Sequence, residues 1–156
     1  MNIFVLDEHP VVAAQMQCNK HVVKMIVESA QLLCTAFPNG TMPYMHTHFN
    51  HPCAAWVRKS RDNFSWLQLH AEALCIDYTK RYGRIHASQS VIERVGNTAI
   101  EFESLDMTPF VQCMPDAYKR ANAIDAYRAY YIGEKSRFAK WSPRAKAPDW
   151  WPDGSA

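Results

Sequence analysis

Apolar residues recur at helical spacing along most of the chain, and proline, glycine and asparagine fall at the interruptions. Residues 2–6 differ: they form a short apolar run suited to a buried extended segment. Asp7-Glu8-His9-Pro10 reads as a helix start, since proline is tolerated in the first turn, and predicts a first helix over 10–18. Asn19 suits the cap of a second helix running to 37, where Pro38-Asn39-Gly40 stops it. A polar loop with Tyr44, His46, His48, Phe49 and His51 follows. Pro52 then opens the longest helical stretch, 53–82, with Trp56, Phe64, Leu67, Ala71, Leu74, Cys75 and Tyr78 at helical spacing and Gly83 as its C-terminal cap. A shorter helix over 88–95, an acidic irregular connection through Met107-Thr108-Pro109 and a last helix over 121–140 complete the pattern. Residues 141–156 hold three prolines and three tryptophans and are expected to lie across the surface as ordered coil. With no internal repeat or domain boundary, the pattern predicts an all-α, single compact domain over 1–156 with a long central helix.

The second helix has an unusual face. With His21 at zero and about 100° per residue, Val23, Ile26, Val27, Ala30, Leu33, Cys34 and Phe37 fall within about 60° of the opposite side, predicting a core stripe. His21 and Glu28 lie about 20° from each other on the remaining side, with Lys24 and Thr35 beside them. On a surface helix that would be a plain solvated face. Met25 and Leu32 share it, however, and a helix apolar nearly all round is covered on most sides. His21, Lys24 and Glu28 are then expected together in a cleft, where enclosure perturbs pKa values and suits carboxylates and lysines to acid–base chemistry. Glu28 is the first catalytic candidate.

Composition narrows the setting. A chain of 156 residues, 48% hydrophobic and 21% charged, is long enough to bury a core. No run approaches the roughly 20 apolar residues of a membrane span, and the N-terminal run is too short and lacks the basic flank of a signal peptide. Five cysteines, an odd number with no CxxC pair, suggest reduced thiols and a cytoplasmic location. The net charge is only +2, but it is unevenly spread. Lys119, Arg120, Arg128, Lys135, Arg137, Lys140, Arg144 and Lys146 face only Asp125 and Glu134 in their stretch, and a second basic set comprises Arg58, Lys59, Arg61, Lys80, Arg81 and Arg84. Acids gather between them at Glu93, Glu101, Glu103 and Asp106. Such asymmetry suits a phosphate-binding face, although basic residues on long helices can equally be solvated.

In the last helix and its continuation, rings alternate with cations. Tyr127, Tyr131 and Phe138 share a face and are assigned to the core, which leaves Arg128, Lys135, Arg137 and Lys140 as phosphate candidates and further rings for base stacking. Arg58, Asn63 and Arg81 are second-rank candidates for the same cleft. His46, His48, His51 and Cys53 match no standard zinc spacing and lack evident partner ligands, so a loop lining the cleft, with one His contacting phosphate or base, is the preferred reading. No Walker loop, GxGxxG, GxSxG or HExxH occurs, and neither a metal nor an organic cofactor is expected.

Three features together resemble the pyrimidine-dimer DNA glycosylases of phage, the endonuclease V type, and more closely a phage group labelled that way by similarity. The first is the run Asn19-Lys20-His21-Val22-Val23-Lys24-Met25-Ile26-Val27-Glu28, in which a His precedes a Glu by seven residues. The second is the stretch from His51 to Tyr82, ending Lys80-Arg81-Tyr82-Gly83; the third is Ala126-Tyr127-Arg128-Ala129-Tyr130-Tyr131. The resemblance implies a small helical protein in which an N-terminal α-amine attacks the sugar C1′, displaces the base as a Schiff base forms, and a Glu supports proton transfer and strand cleavage. An α-amine with a reference pKa of about 7.7–8.0 keeps a fair neutral fraction near neutrality.

Two departures shape what is carried over. The family exposes a small residue by removing the initiator Met, whereas Asn2 predicts that Met1 is retained and presents its own amine. Lys24, one turn before Glu28, is the alternative amine. The Arg-rich neighbourhood of the family's Glu is replaced by Val27 and Ser29. The resemblance thus implies a DNA N-glycosylase, with AP-lyase activity through an amine, using Glu28, Met1, Lys24 and His21. Lys20, Arg58, Asn63, Arg81, Arg128, Lys135, Arg137 and Lys140 would hold DNA or a nucleotide. Two other expectations stand beside it: a non-enzymatic protein that sequesters a host-defence nucleotide signal, and an enzyme cleaving a free nucleotide.

Overall fold

The computed structural model describes residues 1–152 and contains six α-helices and no strand among them. They are α1 (Pro10–Gln15), α2 (Asn19–Cys34), α3 (Pro52–Lys59), α4 (Arg61–Tyr82), α5 (Gln89–Gly96) and α6 (Ala123–Lys135), with a short 3-10 turn at Asp116–Tyr118. Helix α4 lies at the centre and packs against α1, α2, α3 and α5, so the chain forms one compact all-α domain. No helix among the described residues is long and apolar enough to cross a membrane. The last four residues of the expected C-terminal coil lie outside those described.

Local chemistry accounts for most boundaries. Pro10 and Pro52 occupy first-turn positions, where a missing N–H leaves nothing unpaired. Gly83 ends α4 in the left-handed conformation, φ +67°, donating its N–H to Thr79 O at 2.8 Å. Asn122 caps α6 by accepting from the N–H groups of Ile124 and Asp125. That helix starts later and stops earlier than the predicted 121–140, and the first helix ends at Gln15 rather than 18. The chain must turn there: the Cys18 N–H donates to Tyr131 Oη and the Asn19 N–H to Lys140 O, fixing the start of α2 against α6 and the segment beyond it. The cap of α2 is therefore Cys18, not Asn19.

The single central helix predicted over 53–82 is two helices. Ser60 is extended (φ −153°), buried, and caps α4 through its hydroxyl at 3.2 Å from Asn63 N. The next two free N–H groups, of Arg61 and Asp62, donate to the carbonyls of Ser104 and Leu105. Asn63 is fully buried and stitches the junction together, donating to Trp56 O and Thr108 Oγ1 and accepting from Thr108 N–H. Its expected ligand-binding role gives way to a structural one, because every hydrogen-bonding group of its amide is engaged in holding α3, α4 and the 104–108 segment.

Residues 2–6 run buried beneath α2 and α6, with Leu6 wholly inaccessible, but the expected extended run is broken at Phe4, whose φ is +58°. At the other end of the chain, Trp141 and Trp151 are buried together, their rings 4.9 Å apart. The Trp141 indole donates to Met16 O. These rings close the domain beside Tyr131.

Candidate active site

Helix α2 is enclosed on the side that Met25 and Leu32 predict. These two are 1% and 0% exposed, and His21 and Glu28 are 4% and 8% exposed. The solvent stripe instead runs along Lys20, Val23, Lys24, Val27 and Gln31. Val23, assigned to the core, is 39% exposed, and Val27 is half-exposed. The N-terminal segment and α6 pack against the His21 side, and this orients the helix so that two valines expected inside face outward.

The N-terminus meets Glu28 directly. The Met1 side chain is 2% exposed and anchors the terminus, while its α-amine stands 3.9 Å from Glu28 Oε2. The same oxygen accepts the Asn2 N–H at 2.8 Å, and the Lys24 ammonium lies 3.2 Å from Oε1. Asn2 shapes the turn that achieves this. Its Oδ1 accepts from the N–H groups of Ile3 and Phe4, and its Nδ2 donates to Cys113 O. Phe4 adopts φ +58°, which for a bulky residue stores about 1–3 kcal/mol of backbone strain. Burial of its ring against His21, Tyr127, Tyr130 and Tyr131 compensates.

Lys24 makes a poor alternative amine. Its side chain is 62% exposed, so the enclosure expected for it is missing. His21 is buried as expected but is not joined to Glu28 by a hydrogen bond. Its ring sits among Phe4, Tyr131 and Phe138, its Nδ1 has no hydrogen-bond partner, and burial, helped by Lys135, Lys24 and Lys20, lowers its pKa to about 3. Such a ring packs as an apolar group among its aromatic neighbours, with no hydrogen-bonded path to Glu28 among the described residues through which to relay a proton.

A second group of side chains converges on this corner. His51 caps α3, its Nδ1 accepting the Cys53 N–H at 3.1 Å, and Cys53 donates its thiol to Cys113 Sγ at 3.4 Å. The donor atoms of His51, Cys53 and Cys113 all lie within 4.8 Å of one another. Burial, then the positive charge of the Met1 amine, lowers the His51 pKa, while Glu28 raises it, so the amine, carboxylate and imidazole share one electrostatic environment. The thiol–thiol hydrogen bond pulls the Cys113 pKa down and pushes that of Cys53 up. Tyr127 positions Cys113 from α6, accepting its N–H at 3.2 Å while donating to Val111 O. Sequence reading missed Cys113, which lies 60 residues from Cys53 in an irregular segment.

The basic candidates separate into free and engaged groups. Lys20 lies exposed over the Phe138 ring at 4.8 Å and Arg137 beside it at 5.9 Å, whereas Lys135 is half-buried over Tyr130 at 4.6 Å and donates to its hydroxyl at 3.5 Å. Lys20, Lys24 and Lys135 lie near the buried His21 ring, and Phe138 is half-buried rather than fully in the core. Lys140 is exposed next along the chain. Arg128 is engaged by Leu6 O and by Asp7 Oδ2 at 3.3 Å. Arg58 stacks on Phe49 at 3.7 Å and donates to Phe49 O and Thr35 Oγ1. Arg81 is no phosphate ligand: it is 1% exposed, paired with Asp77 at 2.6 Å, and donates to Asn19 Oδ1. His46 bonds Phe37 O through Nε2, away from the His51 group.

Comparison with family models, curated proteins and solved structures found no match for this chain.

Proposed function

We propose that the protein is a DNA N-glycosylase that uses the Met1 α-amine as nucleophile and Glu28 as its acid–base partner, as the resemblance to the phage pyrimidine-dimer glycosylases implies. The observation that carries the reading is the 3.9 Å approach of that amine to a carboxylate whose side chain is only 11% exposed. A neutral amine attacks C1′, the C1′–N bond to the base breaks with its electron pair leaving on the base, and ring opening gives the Schiff base. Glu28 is the nearest acceptor for the ammonium proton and the nearest anion to the positive charge that develops on the sugar. Lys20, Lys135 and Arg137 surround half-buried aromatic rings, a combination suited to a phosphate and an adjoining base.

Borohydride trapping tests this on duplex DNA carrying abasic sites, ultraviolet photoproducts or modified bases. A covalent protein–DNA adduct mapping to Met1 is the expected result, formed far more slowly in Glu28→Gln. No adduct on any of these substrates would remove the glycosylase reading. A second reading, nucleotide sequestration without cleavage, is favoured by the net charge of +2, which is low for a tight duplex binder. It predicts strong binding of a free nucleotide with little dependence on salt. Cleavage of a free nucleotide by the same carboxylate would appear as turnover in that assay.

A further inference from the structure

We propose that His51, Cys53 and Cys113 form a zinc site, with two thiolates and one imidazole as protein ligands and the fourth position left to water or substrate. The three ligands are distinct from the amine nucleophile, although Glu28 neighbours both. Their donor atoms lie within 4.8 Å of one another, brought together from the N-terminus of α3 and from the irregular segment before the 3-10 turn. Two zinc–sulfur bonds of about 2.3 Å at a tetrahedral angle place their sulfurs about 3.8 Å apart. The present Cys53–Cys113 separation, 3.4 Å, is close to that value. The two thiols are already in contact, and His51 completes the set by giving up its hydrogen bond to the Cys53 N–H.

The donor set narrows the choice of ion to the softer transition metals. Two thiolates and an imidazole suit zinc, whereas calcium and magnesium require oxygen ligands. Both sulfurs are held from outside the cluster. The Cys113 backbone is fixed on one side by Asn2 Nδ2 on its carbonyl and on the other by Tyr127 Oη on its N–H. Cys53 is in the first turn of α3 and almost wholly buried. Outer-shell restraint of this kind orients metal ligands. Because the same Asn2 donates its backbone N–H to Glu28, a buried carboxylate is tied into the network that holds the ligand Cys113. Three protein donors with an open fourth position are the pattern of catalytic rather than closed structural zinc. His-Cys-Cys zinc accompanied by a non-ligand Glu is a set that activates water towards nucleobases.

Loading has a local consequence. His51 Nδ1 accepts the Cys53 N–H at present. Ligation through Nδ1 would use that lone pair, and ligation through Nε2 would leave Nδ1 protonated, so the helix cap and the metal bond exclude each other. Binding also displaces the two thiol protons to solvent.

The test uses the reduced full chain with Zn²⁺ and, as a spectroscopic substitute, Co²⁺. The expected result is one ion per chain, proton release on binding, and thiolate-to-cobalt charge-transfer bands with the visible spectrum of tetrahedral Co²⁺. Cys113→Ser should lower affinity by well over about 100-fold, more than the roughly 10–100-fold cost of losing an outer-shell partner, and weaken the charge-transfer bands. If a substitution impairs folding, zinc-edge X-ray absorption on the unaltered protein decides the matter, since two sulfur scatterers are expected in the first shell. The proposal is overturned by the absence of thiolate bands, by bands unaffected in Cys113→Ser, or by a first shell lacking sulfur. Borohydride trapping by metal-free protein remains a separate measurement, so failure of either idea leaves the other standing.

Discussion

Helices α2 and α4 each carry an acid and a base four residues apart, and the two pairs have opposite fates. Asp77 and Arg81 are both nearly inaccessible and 2.6 Å apart, and Arg81 also reaches Asn19, so the pair joins α4 to the start of α2. They line a cavity of about 610 Å³ that also borders Leu69, Ile76 and Arg144, where their two charges offset each other. Glu28 is buried similarly, but its intrahelical partner Lys24 stays in solvent, and two backbone nitrogens from the N-terminus complete its surroundings. A buried carboxylate paired within its own helix holds the fold together. One left to a solvent-exposed cation and a chain terminus keeps a nucleophile beside it.

The largest expected effect breaks the structural member of this comparison. Asp77→Ala leaves the Arg81 guanidinium buried without its counter-charge and should destabilise the protein by about 3–5 kcal/mol, measured by urea unfolding. Adduct formed per folded molecule should not change. Next in size, Glu28→Gln keeps an oxygen for the Asn2 N–H but removes the charge beside the Met1 amine. Its trapping rate should fall about 100-fold, with the unfolding midpoint nearly unchanged. If Asp77→Ala abolishes trapping in folded protein, or Glu28→Gln merely unfolds it, the assignment of one pair to structure and the other to chemistry is wrong.

These contrasts are only partly visible in the chain's pattern. Met25 and Leu32 betray the enclosure of α2 because leucine and methionine beside charged residues make sense only under cover. The direction of that cover is not encoded locally, so Val23 reads as an inward residue and lies outside. Ser60 interrupts a helical run without proline or glycine; its extended conformation is stabilised by carbonyls of Ser104 and Leu105, which are distant in sequence and which no local signal announces. Similarly, Arg81 and Lys20 look alike as basic side chains, and only tertiary packing buries one against Asp77 and leaves the other over Phe138. Cys113 becomes legible as a neighbour of His51 only once Tyr127 and Asn2 have fixed its backbone.

Two buried histidines extend the comparison to acid. Burial lowers His21 to about 3 on the α2 side and His70 to about 4 in the core, where Pro10 O and Gln17 Nε2 contact its ring nitrogens. Both folded values lie below the unfolded value of about 6.5, so the unfolded chain takes up protons first as pH falls. The stabilisation is complete above pH of about 6.5 and is lost progressively down to the folded values of about 3 and 4. Between neutrality and a pH of about 5, each histidine should lower stability by about 2 kcal/mol. His21→Phe, placed among Phe4, Tyr131 and Phe138, should reduce the slope of stability against pH by its share. An unchanged slope would mean that His21 is not held neutral, and that its three lysine neighbours, Lys20, Lys24 and Lys135, do not act on it as the geometry requires.

The smallest expected effect separates free cations from engaged ones. Lys20 is exposed over an aromatic ring, whereas Arg128 is already bound to Asp7 and Leu6 O. If duplex DNA lies along the surface formed by Lys20 and Phe138, Lys20→Ala should lower the slope of log affinity against log salt by about 1, because one fewer phosphate is neutralised and one fewer counterion released. Arg128→Ala should change that slope less, because its charge is compensated in the free protein, and should instead act on the position of residues 6 and 7. Equal slopes in both variants would mean that engagement within the fold does not decide which cations meet the ligand. An unaltered slope in Lys20→Ala, with nucleotide affinity reduced, would move the ligand from a duplex to a single nucleotide held between Lys20, Phe138 and Lys135.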